Sequence, residues 1–159
     1  MPELKYIADV FSPHYVKTIK YSGDHPTTTL KTIPALMKSI FRITSTNFFE
    51  DEIKWDKSFE PIEFFGEWRG KFALDGRTTF WIKVKVIGKQ NSKDKKGNVT
   101  IYIHPYMTTK LPYSNFLDKA LALSYSHLFY GEQRRKYITR QLILLKRFED
   151  ELKKELGIE

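Results

Sequence analysis

The sequence predicts an α+β protein in which antiparallel strands precede a long C-terminal helix. Three observations predict it. Apolar and polar residues alternate with period two through most of residues 62–106. The breaks between these runs are short enough for hairpins. Beyond residue 115 the period changes to three and four residues, in the strongest amphipathic stripe of the chain. The 159 residues contain no linker, repeat or low-complexity tract, so residues 1–159 read as a single domain.

Leu4–Phe11 and Tyr15–Tyr21 alternate as strands, with Ser12-Pro13-His14 a turn between them or a break in one long bent strand. Gly23-Asp24-His25-Pro26 ends this region, and Thr27 and Thr28 are N-cap residue types. Proline suits the first turn of a helix and not its interior. Pro34 therefore predicts two short helices, over about 28–33 and about 34–43, with Leu36, Met37, Ile40 and Phe41 as the buried stripe.

Four strands follow, over 47–56, 62–72, 78–88 and 98–106. In the first, Glu50 and Glu52 share one face, and Asp51 takes the other with Phe49, Ile53 and Trp55. Trp68, Gly70 and Phe72 then oppose Glu67, Arg69 and Lys71; Phe80, Ile82, Val84 and Val86 oppose Thr79, Trp81, Lys83 and Lys85; Val99, Ile101 and Ile103 oppose Thr100, Tyr102 and His104. Matching apolar faces across the hairpin favours a three-residue loop Leu74-Asp75-Gly76. That loop pairs Ala73 with Arg77, sets Trp68 against Ile82 and requires Gly76 at positive φ. Gly70 leaves room for Phe80 or for something lying against the sheet.

The last 45 residues read as helix, capped at the start by Ser114 or Asn115. Leu117, Ala120, Leu121, Ser124 and Leu128 share a face. After Gly131, the residues Ile138, Leu142, Leu145, Phe148, Leu152 and Leu156 form the apolar stripe, and Gly157 stands where a C-terminal cap belongs.

The stretch GEWRGKFALDGRTTFWIKVKVIGKQNSKDKKGNVTIYIHP is similar to the central hairpins of the START and pollen-allergen-related superfamily. The order of strand, short helices, antiparallel strands and long terminal helix resembles its helix-grip fold. The resemblance implies a curved sheet wrapped on the terminal helix, with a hydrophobic cavity between them.

Composition bounds the function. There is no cysteine, hence no disulfide, thiol nucleophile or thiolate metal site. No apolar run approaches a membrane span and no signal peptide opens the chain, so a cytoplasmic location is expected. Nucleotide-loop, zinc-protease and nucleophile-elbow motifs are missing, and His14, His25, His104 and His127 lack metal-ligand spacing. No cofactor is implied and no catalytic constellation stands out. The net charge of +8 is uneven: residues 45–65 carry −4 and residues 66–116 carry +7.

These features leave three readings. The first is a small-molecule-binding protein that buries an apolar or amphipathic ligand between sheet and last helix. Its lining would be Trp68, Phe72, Phe80, Ile82, Val84 and Ile101 on the sheet, with Leu142, Leu145 and Phe148 on the helix. The same nine residues also suit a dry core. The second is a nucleic-acid-binding accessory protein using a basic hairpin face, Lys83, Lys85, Lys93, Lys95 and Lys96, with Trp81 and Tyr102 as stacking rings on that face. A solvated hairpin tip accounts for the same lysines. The third is an interaction module whose helical tail docks on a partner or on a second copy of the chain.

Overall fold

The structure, a computed structural model, describes residues 3–10, 16–112, 115–125 and 131–158. Alternation builds its sheet. Strands β1 (Glu3–Asp9), β2 (Lys17–Asp24), β3 (Phe48–Asp56), β4 (Ile62–Ala73), β5 (Thr78–Gln90) and β6 (Lys96–Pro112) form one antiparallel sheet. From β3 the order runs β4, β5, β6. Both β1 and β2 then pair with β6, β2 along its residues 96–103 and β1 along 106–112. The two N-terminal strands thus occupy successive halves of one edge. The segment Ser12-Pro13-His14 lies outside the described residues.

A 3₁₀ turn (Pro26–Thr28) leads into α1 (Thr29–Ile40); a second turn (Ser45–Asn47) leads into β3; α2 (Phe116–Tyr125) and α3 (Gly131–Leu156) follow the sheet. The inward side chains of β4, β5 and β6 bury Phe64, Trp68, Phe80, Ile82, Val84, Val86, Ile101 and Ile103. Helix α3 buries Leu145, Phe148, Leu152 and Leu156 in the same cluster, and α1 adds Ile33, Met37 and Ile40. This is an open antiparallel sheet with a long C-terminal helix and two shorter ones, an α+β architecture consistent with a helix-grip arrangement.

Both ends of the terminal region are capped as expected. The Asn115 side chain accepts the N–H of Asp118 at 2.9 Å. Gly157, at φ 74°, closes α3 as the N–H of Ile158 reaches the carbonyl of Lys153 at 2.8 Å.

Several expectations change. Pro34 lies inside one continuous helix and does not divide two, because Ile33 and Met37 are fully buried on either side of it. Their packing outweighs the hydrogen bond that proline cannot make. Leu36 is only partly buried.

The β4–β5 hairpin is shifted by two residues from the predicted register: Ala73 pairs with Thr79, Trp68 with Val84 and Gly70 with Ile82. A two-residue shift keeps every side chain on its face. The loop closes through Asp75, whose Oδ1 accepts the N–H groups of Arg77 and Thr78, each at 2.7 Å. Gly76 has no left-handed backbone, since the side chain of Asp75 does the turning. The space beside Gly70 is filled by Ile43, whose Cδ1 lies 2.5 Å from where a Cβ would stand.

Strand β3 carries a bulge between Glu50 and Glu52. The extra residue reverses the alternation beyond it. Ile53 and Trp55 pair with the inward Gly66 and Phe64, while Asp51 joins Phe49 beside Arg69 on the outer face.

On α2, Leu117 and Leu121 are 72% and 68% exposed, so neither enters the core as predicted, and Leu128 of the same predicted face lies outside the described residues. On α3 the inward position expected for Leu142 goes to Gln141; Leu142 is left 40% exposed. The buried run Tyr137, Gln141, Leu145, Phe148 sets the face of the helix, and Leu142 sits about 100° away from Gln141 around it.

Candidate nucleic-acid interface

The structure brings together most of the predicted lining between sheet and helix. Trp68, Phe80, Ile82, Val84, Ile101, Leu145 and Phe148 are buried in one cluster, Phe72 is half-buried against it, and Leu142 is not part of it. The rings lie against one another. Phe41 is 5.8 Å from both Phe80 and Phe148, and Phe72 is 5.1 Å from Phe80, centroid to centroid. These are ordinary distances for packed aromatics.

The opposite face of the sheet is different. Its side chains come from the polar half of the same alternation. Cross-strand pairing sorts them into rows: Lys71, Trp81 and Tyr106; Arg69, Lys83 and His104; Glu67, Lys85 and Tyr102, each in the order β4, β5, β6. In the first row the Trp81 and Tyr106 rings are parallel within 3°, with centroids 6.1 Å apart. His104 lies 5.2 Å from Tyr106. Lys71 holds its ammonium 5.3 Å from the centre of Trp81, and the Arg69 guanidinium is 5.9 Å from it.

The first two rows floor a groove of about 630 Å³. A second hollow of about 320 Å³, lined by Val16, Lys85, Ile87 and Tyr102, continues it and shares Lys83 and His104. At the far end of the larger groove, Lys5 of β1 stands directly opposite Lys110 of β6, with Arg77 beside them in the lining. Like charges placed across a strand pair repel, and an anion between them relieves the repulsion.

Two cations of the face are already balanced. Arg69 donates to both oxygens of Asp51, at 2.7 and 3.1 Å. Those bonds hold its guanidinium charged, raising its pKa above the ordinary arginine value. Lys83 reaches Glu67 at 2.9 Å. Lys85 rests 5.5 Å above the Phe65 ring.

The five lysines predicted as one patch separate into two groups. Lys83 and Lys85 lie in the groove region. Lys93, Lys95 and Lys96 sit at the β5–β6 tip, where Asn91 and Lys96 close the turn and Glu60 holds the N–H and hydroxyl of Ser92. From Lys83 to Gln90, the last residue of β5, is seven strand positions, roughly 23 Å. Sequence reasoning found Trp81 and Tyr102 but missed Tyr106, Lys5, Arg77 and Lys110. Lys110 and Tyr106 both continue the even-numbered outward series of β6: Tyr106 already ends the predicted strand, next after His104, and only Lys110 lies beyond its predicted end.

Among the described residues no group of three or more potential metal ligands occurs, and no helix is long and apolar enough to cross a membrane.

No family model matches the chain, and no curated protein does. Among solved structures it is similar to the protein of unknown function SA2116 from Staphylococcus aureus, at 9% identity and a TM-score of 0.31, over 89% of this chain and 94% of that one. It is similar to an uncharacterized protein from Rhizobium leguminosarum at 7% identity and a TM-score of 0.19, over 83% and 99%. Ara h 8.0201 follows at 10% identity and a TM-score of 0.17, over 79% and 99%. Likenesses this distant carry no functional argument.

Proposed function

We propose that the outer face of the sheet binds single-stranded nucleic acid. The observation that carries this reading is the parallel Trp81–Tyr106 pair set in a groove bordered by Lys5, Lys71, Arg77, Lys83 and Lys110. Rings supply stacking that any base can use, and the surrounding cations supply phosphate neutralisation. A duplex keeps its bases stacked on one another, so the rings favour single strands.

The test is fluorescence anisotropy with a labelled 12-nucleotide single strand, RNA and DNA, against the matching duplex. Single strands should bind more tightly, with log K falling against log salt at a slope of about −2 if three phosphates are neutralised. Trp81→Ala with Tyr106→Ala should weaken binding about fivefold or more, at ~1–3 kcal/mol for the one base this pair stacks. Replacing Lys93, Lys95 and Lys96 together by Gln should leave it within about threefold. Absence of binding at low salt, or equal affinity for the duplex, overturns the reading. Native mass spectrometry that finds an apolar molecule retained in a protein unable to bind oligonucleotides would return the inner layer as the site.

A further inference from the structure

The outer face has a period. Tyr106, His104 and Tyr102 occupy alternate positions of β6 and so point the same way, one ring per row. Successive rows are two residues apart, about 6.6–6.8 Å. Each row also brings a cation from the neighbouring strands: Lys71 in the first, Lys83 and Arg69 in the second, Lys85 in the third. Rings therefore run along β6, while cations run beside them on β4 and β5.

The pattern stops at both ends. The row before it holds Ala73, Thr79 and Thr108, and the row after it holds Phe65, Ile87 and Thr100. Neither places a cation on β4 or β5, or a ring on β6.

From this we infer that the face reads single-stranded nucleic acid in a three-nucleotide register. One base stacks on each of Tyr106, His104 and Tyr102, and the sugar–phosphate chain lies over β5, with Lys71, Lys83 and Lys85 as the phosphate partners. The inference rests on the proposed single-strand interface and specifies its ligand. Glu67 limits the middle phosphate position, because its carboxylate competes for Lys83 at 2.9 Å.

The experiment is an amide chemical-shift titration at low salt with oligothymidylates of two, three, four and six nucleotides. Affinity should rise about tenfold from two to three nucleotides, the gain from one further stacked base. From three to six it should rise no more than about fourfold, the number of ways a three-base window fits six bases. Tyr102→Ala should remove the step between two and three while lowering dinucleotide affinity no more than about twofold, the loss of one of its two two-ring positions. Glu67→Gln should strengthen the trinucleotide complex. A smooth rise with length and no step overturns the register while leaving the interface intact. A step that survives in Tyr102→Ala overturns the assignment of the third ring. Failure of every length to bind, including six, removes the interface and the register together.

Discussion

Two glycines in two hairpins should respond in opposite ways to the same methyl group. Gly97 stands where β6 leaves the β5–β6 turn, opposite Gln90. A Cβ there falls on the carbonyl oxygen of Lys89, well inside van der Waals contact, and 2.8 Å from the Cα of Gln90. Both neighbours are backbone, so no flexible side chain can yield. Gln90 is itself an anchor: its Oε1 accepts from the N–H and hydroxyl of Thr27, at 3.2 and 2.9 Å, and ties the 3₁₀ turn to the sheet. Gly97→Ala must move this end of the ladder, costing about 1–3 kcal/mol in strain. Loosening the Gln90 bonds adds about 1 kcal/mol. At about 2–4 °C per kcal/mol for a chain of this size, the melting temperature should fall by about 5–15 °C. Gly76, at the tip of the β4–β5 loop, has nothing within 4 Å of an added Cβ and does not use the left-handed region. Gly76→Ala should be neutral, or stabilising by up to about 1 kcal/mol, through the unfolded chain. Thermal melts followed by far-ultraviolet circular dichroism compare the two. If Gly97→Ala melts with the parent, the strands do not approach this closely. If Gly76→Ala costs more than about 1 kcal/mol, the loop turns on a left-handed glycine after all.

The gripped layer and its ion pairs give further expectations. Phe148 is fully buried against Phe41, so Phe148→Ala should cost about 3–5 kcal/mol by urea denaturation; a loss below 1 kcal/mol would mean that α3 is only loosely held. Burial pushes the Glu149 carboxyl up, but hydrogen bonds from Lys17 on β2 and Lys153 on α3 outweigh it and hold the pKa below the ordinary glutamate value. A lowered folded pKa stabilises the protein above the unfolded value of about 4.3, and that stability is lost as pH falls through the folded value. Glu149→Gln should therefore lower the urea midpoint at pH 7 and flatten its decline below about pH 4.5; parallel curves for the two proteins would refute this.

The faces of β4, β5 and β6 were legible in the sequence, and the β4–β5 register was not. Period two assigns Trp68, Phe80, Ile82 and Ile101 inward because each strand repeats the signal several times. The hairpin loop depends on one side chain, Asp75, which stands in for the glycine turn that matching the apolar faces suggested. The β3 bulge falls in Glu50-Asp51-Glu52, where no apolar residue marks which way the chain points. On α3, Leu142 and Gln141 differ by one position, and hydropathy alone favours the leucine. The interface was the least legible part. Lys5, Lys71, Trp81, Tyr106 and Lys110 are scattered over more than 100 residues and meet only through the pairing of four strands.

The sharing of β6 by β1 and β2 has a consequence for the growing chain. The first two strands leave the ribosome early, yet their hydrogen-bonding partner is the last strand of the sheet, residues 96–112. At about 5–20 residues per second, β1 and β2 wait roughly 5–20 s for β6. The β3–β4–β5 meander can pair locally during that interval, while the N-terminal segment cannot. Synthesis thus delivers a half-sheet with an unclosed edge, which only the arrival of β6 and then α3 completes.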